Sequence, residues 1–382
     1  MDLLYCGFDG LDVSFQGRIS HRLCTALEKA KLNAQKFHRD EFLEWCGTGM
    51  LVKEGGARGG YAFTVRTESP HAVWFFKKPN PHDPWGVRVS CDSFQLALHG
   101  FAETRQQLHS ALDSWKVSLP INGESISRVD YAMDFLAPDL NLVPSNFVMH
   151  SNSRRADHYS TTSTRVEGKS GRVTSVTIGQ MPGRQVIVYD KRAEVIAKHK
   201  PGWKAIWDSK RKRDGASPLD YTDPKRSRVW RVEVRAGKKL LKDTWSIRTW
   251  EDLDRRIGDV FAQAIQKVRY AEPNVDTNRA RWPEHQLWKE VRRIIASDLF
   301  KMRNFAEPST VKLVEREAYD NLLCQQIAGL VISRAALAGI SYDKLPSYAQ
   351  TTGHLMADQF ARHLEKARKR LGRAADRYRV IM

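Results

Sequence analysis

The sequence predicts an α+β protein, in which an antiparallel-rich sheet domain with flanking helices is followed by a helical C-terminal region. Up to about residue 245, strand-like segments alternate with a few helical ones, an order typical of α+β domains. After Trp250 the apolar residues follow helical spacing instead. We therefore expect a sheet-based domain over residues 1–245 and a helical region over residues 246–382.

The predicted strands combine β-branched or aromatic residues with flanking turn formers. They cover residues 3–15, 61–67, 71–78, 85–100, 126–136, 172–180, 184–191 and 228–237. Helices are predicted at residues 20–35, 103–116, 253–268, 287–299, from about 309 to 339, and 354–379. Two polar, basic stretches, residues 151–172 and 209–228, are predicted to be loops.

The charge of the chain indicates a polyanionic partner. Lysine and arginine number 62 against 44 acidic residues, which gives a net charge of +18 over 382 residues. An excess of one sign favours nucleic acid, because each neutralised phosphate releases counterions. The 41% of hydrophobic residues is enough to bury a full core, so the basic excess belongs to a folded protein.

Several classes of protein are disfavoured. The five cysteines are scattered and none has C-x-x-C spacing, so neither a disulfide framework nor a zinc ribbon is expected. The first ten residues lack the basic region and apolar core of a signal peptide. No window approaches the length of about 18 apolar residues that a membrane span needs. We expect a cytoplasmic protein without a membrane partner.

One predicted strand separates charged from apolar residues. Between Arg128 and Phe135, alternation places Arg128, Asp130 and Asp134 on one face, because successive side chains of a strand point to opposite sides. Val129, Tyr131, Met133 and Phe135 fall on the other face.

Two further strands repeat this pattern. Arg231, Glu233 and Arg235 share one face of their strand, and alternation makes Tyr189 and Lys191 point the same way in theirs. If the three strands are neighbours, one face of the sheet gathers carboxylates, guanidinium groups, an ammonium group and a phenol. The simpler interpretation is that each strand only exposes one face to water.

The combined set of groups suits phosphoryl transfer to a tyrosine. Carboxylate oxygens are the ligands that Mg²⁺ and Mn²⁺ prefer, and such a metal would polarise the phosphate. Arginine and lysine would stabilise charge in the transition state. A phenol has an ordinary pKa of about 10, so a neighbouring cation or base must activate it. Lys191, two residues further along the strand, is placed to activate the phenol of Tyr189.

At these residues the chain resembles the replication initiation factor family, which includes initiators of rolling-circle plasmids and relatives encoded by filamentous phages. The resemblance lies in FDGLDVSF at residues 8–15, SRVDYAMDF at 127–135, VTIGQMPGRQVIVYDKRAEV at 176–195 and VWRVEVRAG at 229–237. It covers roughly residues 5–245. The helical third at about 250–382 has no counterpart in the family's pattern.

The resemblance implies a rolling-circle replication initiator that makes a site-specific, metal-dependent nick at an origin, leaving a 5′-phosphotyrosine and a free 3′-OH. Tyr189 would be the nucleophile of this nicking and joining endonuclease, with Lys191, Arg128 and Arg231 as phosphate contacts. The implied partners are single- and double-stranded origin DNA, a host helicase and a second copy of the chain.

The resemblance also implies Asp130 and Glu233 as ligands of Mg²⁺ or Mn²⁺, with Asp134 as a further candidate. Glu194 is expected either near the metal or on the following helix as the partner of a cation, and the role of Asp9 stays open. Basic residues predicted to contact DNA are Arg231, Arg235, Arg192, Lys210, Arg211, Lys212, Arg213, Lys369 and Arg370.

Three other functions compete with this one. A non-catalytic, sequence-specific DNA-binding initiator or repressor would carry the same charge. A tyrosine recombinase using Tyr378 is disfavoured because no His-x-x-Arg element precedes that residue. Initiators and relaxases with two histidines flanking one apolar residue are disfavoured because none of the twelve histidines forms that triplet.

Overall fold

The computed structural model describes residues 1–149, 164–169, 171–303, 320, 323–324 and 327–378, with side chains described as far as residue 372. Two compact units divide the chain. The first comprises Met1–Leu241 and Ile247–Phe305, and the second comprises Lys242–Ser246 and Ala306–Met382.

An antiparallel sheet of eleven strands forms the centre of the first unit. Its strands run in the order β2-β3-β4-β5-β6-β1-β7-β12-β11-β10-β9. They are β1 (Asp2–Phe15), β2 (Glu41–Trp45), β3 (Thr48–Val52), β4 (Phe63–Glu68), β5 (His71–Phe76), β6 (Val87–Cys91), β7 (Glu124–Leu136), β9 (Thr164–Lys169), β10 (Arg172–Gly179), β11 (Arg184–Asp190) and β12 (Val229–Gly237), and a separate small sheet pairs β8 (Phe147–Met149) with β13 (Val268–Tyr270).

Among the described residues, six α-helices belong to the same unit: α1 (His21–Phe37), α2 (Ser93–Ser114), α3 (Lys191–Ala197), α4 (Pro201–Arg213), α5 (Trp250–Lys267) and α6 (Gln286–Asp298). The start of α5 is held by a capping box, in which Thr249 and Asp252 satisfy each other's backbone N–H groups. The α+β class with a large antiparallel sheet and flanking helices is thus confirmed.

The apolar face of the sheet packs against α2 and α5. Trp74 and Phe76 of β5 meet Trp115 at the end of α2, with ring centroids 4.7 and 6.0 Å apart. Tyr131 of β7 meets Phe261 of α5 at 5.8 Å. Alternation along β5 and β7 therefore buries one set of side chains here and presents the other set on the opposite face.

The opposite face, which we call the polar face, is covered at one end by α3 and α4. Trp203 and Trp207 of α4 pack with Leu4, Leu136 and Val229 in a small buried cluster. Its members lie at the ends of β1, β7 and β12, so α4 closes only that end of the polar face.

The second unit is helical in its described part. It contains helical residues 327–337, α7 (Leu345–Arg362) and α8 (Leu364–Tyr378). Arg334 donates a hydrogen bond of 2.9 Å to Thr352 of α7 and so joins two of these helices. The helical C-terminal region is confirmed, although the segment predicted as one helix at 354–379 is two helices that meet at His363.

The structure also differs from the predictions at several other places. The predicted strand at 85–100 ends at Cys91, and Asp92 caps a helix that begins at Ser93. The predicted loop at 209–228 begins inside α4. The boundary predicted at 245 lies instead after Phe305, because α5 and α6 pack with the sheet unit.

Parts of two other predictions lie outside the described residues. They concern most of the loop at 151–172, of which residues 164–169 form β9, and the start of the helix predicted near residue 309.

Candidate active site on the polar face

The three charged strands are neighbours in the sheet, in the order β7-β12-β11. Their register places Tyr189 opposite Arg231, and Arg231 opposite Asp134. Arg235 lies opposite Asp130 in the same register. Directly opposed residues of antiparallel strands point to the same side, so these side chains share the polar face, as the alternation predicts.

Tyr189 carries its phenol oxygen between a carboxylate and an ammonium group. The hydroxyl donates a hydrogen bond to Glu233 Oε2 at 3.3 Å, and Lys191 Nζ donates to the phenol oxygen at 3.5 Å. Burial raises the pKa of Tyr189 well above its ordinary value, and Arg231 counteracts this effect. The resting phenol is therefore protonated and already bonded to a carboxylate that can accept its proton.

Lys191 is the first residue of α3 and not part of the strand, because the strand ends at Asp190. Asp190 caps the helix by accepting a hydrogen bond of 2.9 Å from the backbone N–H of Ala193. Lys191 is buried and forms an ion pair of 2.7 Å with Glu194. Burial and the nearby Arg231 lower the pKa of Lys191, and Glu194 opposes them.

Glu194 lies on α3, the helix that follows β11, and pairs with cations. Besides Lys191, its carboxylate accepts from Lys198 at 3.1 Å and Lys200 at 2.9 Å. The charge and hydrogen bond of Lys191, followed by those of Lys200, outweigh the desolvation of this carboxyl and bring its pKa to about 2. Glu194 thus holds Lys191 in place beside the phenol.

Arg231 is the centre of the covered end. Its guanidinium group binds both oxygens of Asp134, at 2.5 and 2.8 Å, and Asp9 at 2.6 Å. The ring of Trp203 lies against it, with its centroid 4.1 Å from the guanidinium carbon. The side chain of Arg231 is 0% exposed, so a phosphate cannot reach it and the predicted phosphate contact is wrong.

Asp134 and Asp9 have structural positions in this cluster. Asp134 accepts a further hydrogen bond of 2.8 Å from Trp207 Nε1, so both of its carboxylate oxygens are engaged. Asp9 lies where the register of β1 against β7 shifts between Phe8 and Gly10. That irregularity directs Asp9 toward Arg231, which explains a residue whose role the sequence leaves open.

At the uncovered end, four charged residues form a second network. Arg128 binds Asp130 with hydrogen bonds of 2.6 to 3.1 Å, and Arg235 binds Glu233 at 2.6 Å. Arg235 also lies 3.8 Å from Asp130. Both arginine side chains keep about a third of their surface exposed, at 35% and 29%. They can therefore meet a phosphate, as Arg231 cannot.

The two carboxyl groups of this network titrate differently. Burial raises the pKa of Asp130 to about 7, although Arg128 opposes it. The pKa of Glu233 is lowered because Arg235, followed by Arg231 and Lys191, outweighs its desolvation. Glu233 is thus an ionised acceptor at neutral pH, while Asp130 is close to half protonated.

The residues predicted to bind Mg²⁺ or Mn²⁺ do not fit a metal in this arrangement. Both carboxylate oxygens of Asp134 accept hydrogen bonds from Arg231 or Trp207. Asp130 is bound by Arg128, and Glu233 is bound by Arg235. Among the described residues, no group of three or more His, Cys, Asp or Glu side chains is placed to hold a metal ion.

The other predicted DNA contacts are divided between structural and exposed positions. Arg192 donates to Ser227 Oγ at 2.8 Å and to the backbone oxygen of Tyr221 at 2.6 Å. Lys210 pairs with Asp214, and Arg211 donates to the backbone oxygen of Ser217. The remaining four, Lys212, Arg213, Lys369 and Arg370, are exposed, the last two on α8 of the second unit.

Two tryptophans of the site are absent from the sequence predictions. Trp203 stacks on Arg231, and Trp207 binds Asp134. Their spacing of four residues is the signal that could have found them, because it places both on one face of a helix. The side chain of Tyr378, the alternative nucleophile, lies outside the described residues.

No protein-family model matches the chain, and no curated protein matches it. The resemblance to the replication initiation factor family therefore has no support from a family model. Among solved structures, the chain is similar to a rolling-circle replication initiator protein from Geobacillus stearothermophilus, with 13% sequence identity and a TM-score of 0.40. The match covers 76% of this chain and 96% of that one. A TM-score this low does not establish a shared fold.

None of the helices in the described part of the chain is long and apolar enough to cross a lipid bilayer.

Proposed function

We propose that the protein is a rolling-circle replication initiator that nicks and rejoins origin DNA through Tyr189. The observation that carries this proposal is the position of the Tyr189 hydroxyl, 3.3 Å from Glu233 and 3.5 Å from Lys191. A nucleophile, a base within hydrogen-bond reach and a neighbouring cation are the groups that covalent phosphoryl transfer requires. The strongly basic composition fits a DNA substrate.

In the proposed reaction, Glu233 accepts the phenol proton as Tyr189 Oη attacks the scissile phosphorus. The Oη–P bond forms and the bond from phosphorus to the 3′ oxygen breaks. The 3′ oxygen takes a proton from solvent, leaving a 3′-OH and a 5′-phosphotyrosine. Joining is the reverse: the 3′-OH loses its proton to solvent and its oxygen attacks the phosphotyrosine, the Oη–P bond breaks, and Glu233 returns the proton to Tyr189.

The other charges of the site support the same step. Lys191 donates its hydrogen bond to the oxygen on which negative charge develops, which stabilises the phenolate. Arg128 and Arg235 are exposed enough to contact the nonbridging oxygens of the phosphate. Arg231 is buried and contacts no DNA, but its positive charge lowers the pKa of Tyr189 and so stabilises the phenolate.

A nicking assay on supercoiled DNA carrying the protein's own origin, with Mg²⁺ or Mn²⁺ supplied, tests the proposal. We expect relaxed DNA and a covalent protein–DNA band, and neither with Tyr189→Phe. Glu233→Gln is expected to slow both by roughly 10²- to 10⁴-fold, the usual contribution of a general base. Tyr221→Phe is the matched control, because its hydroxyl also bonds a carboxylate, Asp208, at 3.1 Å but lies on the loop after α4.

Two results would overturn the proposal. An adduct that persists in Tyr189→Phe would move the nucleophile to another residue. If the wild-type protein binds its origin without nicking it, the chain is a non-catalytic DNA-binding protein.

The metal and the partners implied by the family resemblance are separate proposals. Repeating the assay with EDTA tests the metal, and undiminished nicking would remove that proposal. Light scattering of the purified protein tests the homodimer, and co-purification with a replicative helicase tests the other partner. None of these results would alter the role proposed for Tyr189.

A further inference from the structure

We infer that the polar face carries a second DNA site, a pocket around Phe75 that binds an unpaired nucleotide. The pocket has a volume of about 540 Å³, within the range of about 300–1,000 Å³ typical of ligand sites. Its walls include Arg39, Lys53, Thr64 and Phe75, with the loop Gly55–Gly56 at its rim. We call it the Phe75 pocket.

The Phe75 pocket lies on the same sheet face as Tyr189. In β5, Trp74 and Phe76 point to the buried side against Trp115, so Phe75 points to the polar face. Phe75 is also paired in register with Arg88 of β6. Five strand spacings separate β5 from β11, a distance of about 24 Å across the sheet.

Aromatic rings and cations alternate around this pocket. The Arg88 guanidinium lies over the Phe75 ring at 4.8 Å, and Lys77 lies over Tyr61 at 5.1 Å. The two rings are 6.0 Å apart. Phe75, Tyr61, Lys77 and Arg88 all remain half-buried. Proteins that bind single-stranded nucleic acid use such half-exposed aromatic rings beside cations, because bases stack on the rings and phosphates pair with the cations.

Another cation lies on the same face, and it differs from Lys77 and Arg88, which pair with Asp83 and Asp12. Arg66 of β4 is exposed, and no carboxylate partner is found for it among the described residues. Arg66 is paired across the sheet with Val73, and Val73 with Ser90. Ser90 is in turn paired with Asp12, and Asp12 with Arg128 of the candidate active site. This row of side chains passes beside the Phe75 pocket, because Val73 lies two residues from Phe75 in β5, and it ends at Arg128, one of the arginines proposed to hold the scissile phosphate.

The acidic groups of the pocket suit a base edge better than a phosphate. Glu54 forms a 3.5 Å pair with His38, and Asp40 also lines the pocket. Carboxylates accept hydrogen bonds from exocyclic amino groups of bases such as cytosine. The base would therefore lie against Phe75 with its amino edge toward Asp40, and the phosphate would lie near Lys53 and Arg39.

The rim glycines allow the loop to approach the pocket. A side chain at Gly56 would place its Cβ 2.3 Å from the backbone oxygen of Tyr61, whereas a Cβ at Gly55 would meet no atom within 4 Å. Gly56 is thus required for the loop to lie against Tyr61, the second ring of the site.

The inference rests on the proposed function for the choice of DNA as ligand. It is tested with the full-length protein and a fluorescent oligo(dC) of about 16 nucleotides, near the upper limit of single-strand site sizes. Phe75→Leu is expected to weaken binding roughly 5- to 150-fold, the loss of one base–aromatic stack. Phe75→Tyr keeps the ring and should bind like the wild type.

The control is Phe300→Leu, which removes a 60% exposed ring from the segment after α6. Normal binding by Phe75→Leu would overturn the inference, as would equal weakening by Phe300→Leu or an equal loss of duplex binding. Adduct formation separates the two proposals: Phe75→Leu should still form the adduct at saturating DNA, whereas Tyr189→Phe should bind oligo(dC) normally without forming it.

Discussion

Two arginines of strand β12 have the same chemistry and opposite surroundings. Arg231 and Arg235 lie on the same face, four residues apart, and each binds carboxylates. Arg231 is 0% exposed beneath Trp203, whereas Arg235 is 29% exposed. The covered arginine can only organise the site, and the uncovered one can meet DNA. The cover that α4 provides, and not the residue type, decides which role each arginine has.

The largest effect that tests this comparison is on stability. Arg231→Gln should lower the free energy of unfolding by about 3–5 kcal/mol, because it leaves the buried carboxylates of Asp134 and Asp9 without a cation. Urea unfolding followed by tryptophan fluorescence measures the change. Arg235→Gln is the matched control. A loss for Arg231→Gln no larger than that of the control would contradict the structural role of Arg231.

A second prediction concerns DNA binding by the uncovered arginines. Arg128→Gln and Arg235→Gln should each lower the free energy of unfolding by less than Arg231→Gln does, because both arginine side chains are about a third exposed, although their carboxylate partners are buried. Each should lower the slope of log K against log salt concentration by about one, as expected when one phosphate contact is lost. Fluorescence anisotropy at several salt concentrations measures this slope. An unchanged slope in both variants would remove the arginines from the DNA interface.

A third prediction is a dependence of stability on pH. Burial raises the pKa of Asp130 from its ordinary 3.8 to about 7. The folded state therefore holds a proton that the unfolded state releases between these values, and the contribution of Asp130 to stability falls as pH rises from about 4 to about 7. Asp130→Asn should remove this fall. Urea unfolding at several pH values from 5 to 8 gives the free energy of unfolding of both proteins. If this free energy changes equally with pH in the two proteins, the raised pKa is contradicted. If their values converge at low pH, the raised pKa is supported.

The strands of the site could be predicted from the sequence because their signal is local. Alternation in β7 assigns Arg128, Asp130 and Asp134 to one face, and the observed register with β12 places them there. The position of Tyr189 beside these residues required only that β11 be the next strand. Pairing of strands close in the chain is common, so this part of the site was within reach of sequence reasoning.

Which charged residues of the site are buried and which stay exposed could not be predicted in the same way. Alternation tells which face a side chain occupies, but not whether another element covers that face. The basic run at the end of α4 resembles a loop, which hid the helix that buries Arg231. Which carboxylates stay available likewise depends on long-range partners, such as Trp207 on Asp134 at 2.8 Å.

The most direct test of the central claim is to identify the residue that carries DNA. After nicking of an origin substrate, the covalent complex would be digested with nuclease and trypsin and analysed by mass spectrometry. Cleavage after Arg184 and Lys191 gives the peptide of residues 185–191, in which Tyr189 is the only tyrosine. We predict a nucleotide phosphate attached to this peptide at Tyr189. A nucleotide found on any other peptide, with 185–191 unmodified, would contradict the account.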